Sequence, residues 1–214
     1  SMMKSLGFMS YQRLVLSSGH NTMIAAVLCG FFMLTFCYGF YENNFSFKGL
    51  KELFSETGYG NDFLKEFGWG TTLMNMSLNG LFALVYVLFL AKGDLTGPVV
   101  GAILVTYGFG AVAKHIRNIY PIFLGVYIGG LVGFWDISSV GSIFAALFGS
   151  ALAPLTGVFG PLMGAFAGFI NASVVLNIGF LHSGMNLYNT GFSVGIVAAI
   201  FVPVLEYFSG KKNQ

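Results

Sequence analysis

Charge is what this sequence has least of. Asp, Glu, Lys and Arg together make up 8% of its 214 residues, against roughly 25% in soluble domains. That scarcity excludes an ordinary soluble chain, which at this length would leave apolar patches far larger than the few hundred Å² that monomers tolerate. The net charge is only +2, and no basic stripe with interleaved aromatics appears, so a nucleic-acid partner is not expected. Cysteine is nearly absent. Cys29 and Cys37 lie about two helical turns apart on one apolar segment, too far apart to pair, and are expected to pack as small hydrophobes. The three histidines, His20, His115 and His182, are scattered; with no Cys/His/acid cluster, neither a metal nor another cofactor is expected. Acids are almost missing from the apolar runs, Glu206 excepted, which argues against a proton relay or sodium-coupled pump built on intramembrane carboxylates.

What is abundant points the other way. Hydrophobic residues reach 56%, with 30 glycines and a mean hydropathy of +0.77. The fold class expected is an all-α polytopic membrane protein with about seven hydrophobic segments. Ser1 before Met2-Met3 reads as a cloning scar. Thr22 to Tyr41 is too long for a signal-peptide core and reads as a retained transmembrane helix. Glu42 to Phe67 is the one long hydrophilic stretch. Phe47, Leu50, Leu53, Phe54, Phe63, Leu64 and Phe67 recur in it at helical spacing, as in amphipathic helices lying at the interface. Thr71 to Leu90 spans next, and Lys92 to Pro98 ends it, with Thr96 as N-cap and Pro98 in the following first turn. Pro98–Ala113 and Val140–Leu155 are short for a bilayer of about 30 Å and read as half-membrane, re-entrant candidates. Between them Ile119 to Trp135 spans; after them come Gly160 to Phe180, then Gly191 to Phe208. The whole forms one membrane domain: an N-terminal segment 1–20, an extramembrane segment 42–67, two halves 68–136 and 137–208, and a tail 209–214. Glycines four apart, at Gly97/Gly101, Gly125/Gly129/Gly133, Gly160/Gly164/Gly168 and Gly191/Gly195, suit close helix approach in lipid.

Two polar knots interrupt this apolar sequence. The denser is His182-Ser183-Gly184-Met185-Asn186-Leu187-Tyr188-Asn189-Thr190, and the weaker is Gly70-Thr71-Thr72-Leu73-Met74-Asn75-Met76-Ser77. Gly70, Leu73 and Asn75 match Gly184, Leu187 and Asn189 at one constant offset, which suggests an internal pseudo-repeat. Polar groups at membrane depth must be buried in protein or line a wet cavity. A substrate path is therefore expected along Thr71, Thr72, Asn75, Ser77, His182, Ser183, Asn186, Tyr188, Asn189 and Thr190, with Asn75 and Asn189 as equivalents near the midplane. Asn171 and Asn177 add to the amide cluster. Single amides of this kind also serve as helix glue, and both readings stay open. Lys114, His115, Arg117 and Asn118 form a compact basic group, read either as an interfacial anchor or as a positive vestibule. Gly191-Phe192-Ser193-Val194-Gly195 matches the nucleophile-elbow pattern, but its flanks are helical rather than strand and helix. No enzymatic activity is expected.

Three blocks carry a family resemblance: Gly97-Pro98 through Gly108-Phe109; Lys114-His115-Ile116-Arg117-Asn118-Ile119-Tyr120-Pro121-Ile122; and Gly149-Ser150-Ala151-Leu152-Ala153-Pro154 with Asn186-Leu187-Tyr188-Asn189-Thr190-Gly191-Phe192. From about Phe47 onward the sequence resembles the bacterial membrane family called domain of unknown function 1576. Members of that family look longer and carry this unit twice, so the chain resembles one repeat; the resemblance implies no activity. Gly184-Met185-Asn186 with Gly191 and Gly195 is also similar to the pore half-helices of bacterial urea transporters, which implies a helix-break pore for a small neutral molecule. Met185 stands where that pattern has an aromatic, and Thr72 where it has the asparagine.

The function expected is a channel or transporter for a small polar, neutral solute in the bacterial inner membrane. The alternatives are a non-transporting membrane scaffold and, further off, an intramembrane serine hydrolase using Ser193. Basic residues show no clean alternation between connections, so orientation has little bias. The expected partners are the lipid bilayer, the solute and a second copy in a homodimer, whose antiparallel subunits would recreate an inverted repeat.

Overall fold

The structure is a computed structural model that describes residues 20–178 and 189–210. All its regular elements are helical. α1 spans Asn21–Glu42, α2 is the single turn Leu50–Leu53, and α3 spans Phe63–Val85 and continues as a π-helical turn over Tyr86–Leu90. α4 (Gly97–Gly108) closes in a 3₁₀ turn, Phe109–Ala111, and is followed by α5 (Ile116–Leu131). α6 (Val140–Gly149) passes through the 3₁₀ turn Ser150–Leu152 into α7 (Ala153–Phe159), and α8 (Pro161–Asn177) and α9 (Asn189–Ser209) complete the chain. Four stretches are long and apolar enough to cross a membrane: Asn21–Glu42, Phe63–Leu90, Val140–Phe159 and Thr190–Phe208. Three apolar helices are shorter: Gly97–Ala111, Ile116–Leu131 and Pro161–Asn177. This is the make-up of a membrane protein, with α1 and α9 leaving most of their apolar faces uncovered.

The course of the chain follows from which residues meet. α1 and α3 pack antiparallel. At one end the Asn21 side chain donates to Asp94 (3.0 Å) and accepts from the Leu95 amide (2.9 Å); at the other, Gly39 and Gly70 leave so little room that a Cβ on Gly70 would fall 2.7 Å from the Asn43 nitrogen. α4 starts at the Asp94 end and stops part-way, where Gly110 abuts Met76 and Asn79 of α3. α5 turns back, setting Phe123 against Phe82 and Tyr86 at centroid distances of 5.1 and 4.8 Å. The two form a hairpin whose tip, residues 109–118, lies beside the middle of α3. α6 and α7 then run from Gly93, against which Ile143 packs, to Thr57, whose carbonyl meets Gly157. α8 reverses along α5, with Gly125 against the Ala165 carbonyl and Gly168 against that of Ile122. α9 reverses again, Ser193 bonding Asn171 and Phe201 lying 5.6 Å from Phe166.

Several expectations change here. The run beginning at Val140 is longer than expected, Val140–Phe159, which is long and apolar enough to cross a membrane. Pro154 falls in the first turn of α7, where its missing N–H costs nothing, so the helical course continues to Phe159. α5, like α4, is one of the shorter apolar helices. Helix in the stretch 42–67 is limited to the end of α1, the single turn Leu50–Leu53 and the five residues Phe63–Phe67 before the Gly68 kink; between α2 and α3 it is turns, with Gly58 and Gly60 at positive φ. Its buried apolar residues Leu50, Leu53 and Phe63 face the protein, not lipid. Thr96 sits at the N-cap position without a side-chain bond, whereas Asp62 does cap α3, accepting from the Lys65 amide at 3.3 Å. Close approach at four-residue glycines holds for Gly125, Gly164 and Gly168, but Gly97, Gly101, Gly191 and Gly195 face open space. Cys29 and Cys37 are exposed on α1 rather than packed.

Candidate functional site

α3 owes its entry angle to one residue. Gly68 adopts φ +76° and ψ 176°, a backbone conformation that side chains resist, and the helix restarts from there. The break falls at Gly68 and not at Gly70, whose role is close contact with α1. The Thr72 hydroxyl bridges the kink to the Phe63 carbonyl (3.0 Å), and that of Thr71 reaches the Lys48 carbonyl (3.3 Å). Both tie segment 48–63 to α3.

One and two turns further along α3, Asn75 and Asn79 stand on a single face, four residues apart. That face meets the hairpin tip. Asn75 Nδ2 donates to the carbonyls of Gly110 (2.7 Å) and Lys114 (2.8 Å), and Asn79 Nδ2 to that of Lys114 (3.0 Å). Ending α4 at Ala111 and starting α5 at Ile116 frees carbonyls that in an apolar interior must find donors, and the two amides supply them. Because each Nδ2 faces carbonyl oxygen, the amide orientation is fixed. Both Oδ1 atoms are then left buried with no hydrogen-bond partner.

The tip itself is tight. The Lys114 amide donates to the Val112 carbonyl at 2.7 Å, closing a γ-turn around Ala113, whose φ of +62° is an uncommon conformation for a residue with a side chain. The Asn118 side chain braces the turn, accepting from the His115 amide (2.9 Å) and donating to the Ala113 carbonyl (2.8 Å). Lys114 turns inward and is only 5% exposed. Its ammonium donates to Ser150 Oγ (2.9 Å) and lies 4.6 Å from the centre of the Phe109 ring. No carboxylate of the described residues lies within ion-pair distance of it. His115, also buried, shares a hydrogen between Nε2 and the Glu56 carbonyl at 2.9 Å. A carbonyl can only accept, so Nε2 carries the hydrogen, and Nδ1 is a buried acceptor without a partner.

This geometry redistributes the residues singled out from sequence. Of the basic group, Lys114, His115 and Asn118 are buried and only Arg117 is exposed. The segment before α3 lies over His115 and Asn118, and Lys114 is directed at Ser150 and Phe109, so these three are covered rather than open to solvent. Ser77 lies two residues from Asn75, hence on the opposite side of α3, where it shares a 2.8 Å bond with Thr35 of α1; it does not join Asn75 in one lining. His182, Ser183, Asn186 and Tyr188 lie outside the described residues, as does the side chain of Asn189, so the pairing of Asn75 with Asn189 has no counterpart among them. Thr190 is half-buried in the first turn of α9. Asn171 bonds the Ala145 carbonyl (3.3 Å) and accepts from Ser193 Oγ (2.8 Å), so the serine of the nucleophile-like pattern sits on a helix facing an amide. Asn177 bonds the Ser173 carbonyl of its own helix (2.8 Å). Asn79 and Ser150 belong to the site and were missed. The four-residue spacing from Asn75 marks the first, whereas nothing local marks the second. Among the described residues no three His, Cys, Asp or Glu side chains gather as metal ligands would.

The family model described as a protein of unknown function, DUF1576, matches residues 42–207. The chain belongs to the DUF1576 family. The stretch it shares with that family runs from the end of α1 into α9 and so contains Asn75, Asn79, the hairpin and Ser150. No curated protein and no solved structure matches the chain; the likeness of this DUF1576 member to urea transporters rests on the quoted residues alone.

Proposed function

We propose that this protein is a multi-pass transport protein or channel of the bacterial inner membrane for a small polar solute, with the hairpin tip as its solute site. In this reading α1, α3, α6–α7, α8 and α9 cross the bilayer, and α4 and α5 enter and leave by the same face. The observation that carries it is Lys114: an ammonium 5% exposed, hydrogen-bonded to one hydroxyl, with no carboxylate of the described residues beside it. Burying such a group costs several kcal/mol, and ionisable residues at membrane depth are retained mainly at solute and ion pathways. Helix glue needs amides, not an ammonium. The unpartnered oxygens of Asn75 and Asn79 add acceptors to the same tip, and the discontinuous helix resembles the way transporters expose backbone groups to a solute. The expected solute therefore brings both an acceptor for Lys114 and donors of its own, which keeps the neutral class and adds small anions.

The test is uptake into proteoliposomes of urea, glycerol, formate and glycolate. Lys114→Gln is expected to cut the flux of a transported member at least tenfold while the protein stays monodisperse; flux of none of the four, or equal flux in the Lys114→Gln variant, would remove the reading. A scaffold role has one observation in its favour: all three amide N–H contacts of Asn75 and Asn79 go to tip carbonyls, so the asparagines alone could be structural. Association as an antiparallel homodimer through the uncovered faces of α1 or α9 belongs to the proposal too, and a cysteine at position 212 that is accessible from only one side of intact cells would exclude it.

A further inference from the structure

The hairpin tip is closed from the Asn43 end by the segment between α2 and α3. The closure has five contacts, four on the tip and one on α7. Asp62 and Val112 form an isolated antiparallel bridge. The Glu56 carbonyl meets His115 Nε2 at 2.9 Å. Gly58, at φ +82°, sits against the Ala113 carbonyl so tightly that a Cβ would overlap it, and the Thr57 carbonyl rests on Gly157 of α7. The rings of Phe54 and Phe63 flank the imidazole at 5.8 and 6.2 Å. Asn61 knits the segment, accepting from the Gly58 amide (3.0 Å) and donating to the Glu56 carboxylate (3.1 Å), and ties its far end to α3 by donating to the Glu66 carboxylate (2.9 Å). Its internal bonds, and its anchorage at the start of α3 where Asp62 accepts from the Lys65 amide, are separate from its contacts with the tip.

We infer that Phe54–Asp62 is a strap that closes the solute site from the Asn43 end, and that protonation of His115 releases it. The inference rests on the proposed transport reading and deepens it by naming how access is controlled. In the closed form the imidazole is neutral, with its one hydrogen on Nε2. A second proton on Nδ1 would create a buried donor where no described group accepts, next to Lys114 and two residues from Arg117. Every charged group around it has another commitment or the same sign. Glu56 and Glu66 have their carboxylates on Asn61, and Asp62 is paired with Lys65 at 2.9 Å. The closed strap thus excludes the imidazolium, whereas the open one admits it to water. The sign follows: closure holds in full above the ordinary histidine value of about 6.5 and weakens as the pH falls below it.

Hydrogen–deuterium exchange on the purified chain in detergent micelles tests this without any solute, and so independently of transport. Between pH 7.5 and 5.5, after correction for intrinsic rates, exchange in 54–63 and 110–118 is expected to rise together by about tenfold or more, with α8 unchanged. His115→Gln, which keeps an N–H for the Glu56 carbonyl but does not titrate, should abolish the rise. Gly58→Ala should give the fast rates at both pH values. If either variant fails to fold, Asp62→Cys with Val112→Cys in a Cys29→Ala, Cys37→Ala background supplies the control, because a bridge pair is close enough for a disulfide: oxidation should remove the pH step and reduction restore it. A pH-independent wild type, a rise in 54–63 while 110–118 stays protected, or a step that survives in the His115→Gln variant overturns the inference. Loss of flux with the pH step intact would instead condemn the transport reading alone.

Discussion

Two buried amide clusters in this molecule look alike in sequence and differ in how fully their hydrogen bonds are made. Where α6, α8 and α9 meet, Asn171 gives its N–H to Ala145 and takes a hydrogen from Ser193, leaving no side-chain polar atom unpartnered. Where α3 meets the hairpin tip, Asn75 and Asn79 direct their N–H groups to carbonyls and keep two bare oxygens, beside an inward ammonium bonded to a single hydroxyl. A satisfied network rigidifies, while a half-satisfied one is costly unless something completes it. The first cluster is therefore cement, and the second has the make-up of the proposed site.

That contrast can be broken by substitution. The largest effect is expected for Asn75→Leu, which strips the Gly110 carbonyl of its side-chain donor and leaves the Lys114 carbonyl with Asn79 alone. A loss of about 2–3 kcal/mol in stability against SDS unfolding should accompany loss of flux. Asn171→Leu should cost about 1–2 kcal/mol with flux per folded molecule unchanged, and a fall in flux there as steep as at Asn75 would erase the distinction. Ser193→Ala, which removes one donor from a satisfied pair, should cost about 0.5–1 kcal/mol and nothing in transport. Asp62→Asn should change least. The Asp62 carboxyl is held below the usual range by the side-chain and backbone hydrogen bonds from Lys65, so what it contributes is present above the ordinary carboxylate range and lost as the pH falls through its lowered value. Thermal midpoints of the wild type and the Asp62→Asn variant should differ slightly at pH 7 and converge once the pH has fallen below that lowered value.

Much of the fold is legible in the sequence because long apolar runs need no partner to be recognised. Thr22–Tyr41 and Gly191–Phe208 lie within a few residues of α1 and α9, while Thr71–Leu90 matches only the part of α3 beyond the Gly68 kink, the helix itself starting at Phe63. The hairpin is only half legible, since Pro98–Ala113 reads as short for a span but Ile119–Trp135 as an ordinary one. That it turns back depends on Phe123 meeting Phe82 and on α4 stopping at Asn79, contacts made far away in sequence. The strap escapes for a related reason. Its apolar residues do recur at helical spacing, but Gly58 and Gly60 forbid a continuous helix, and Phe54 and Phe63 flank His115 instead of facing lipid. Lys114 reads as an anchor or a vestibule because a run of basic residues says nothing of what lies on top of it. Asn75 stands out through its matching offset with Asn189, whereas Asn79 has no such match and is marked only by sharing a helix face with Asn75.

The kinked α3 also has a history during synthesis. Ribosomes deliver it to the translocon before α4 exists, so Asn75 and Asn79 enter the bilayer with both ends of each amide bare, at a point when nothing can accept or donate to them except neighbours on α1 or trapped water. Asparagine at mid-helix lowers insertion efficiency, and the deficit is recovered only when the tip at Gly110 to Lys114 has been made. Replacing both with leucine should therefore make α3 insert more readily while the hairpin, its carbonyls unclaimed, fails to dock, so that assembly and insertion move in opposite directions.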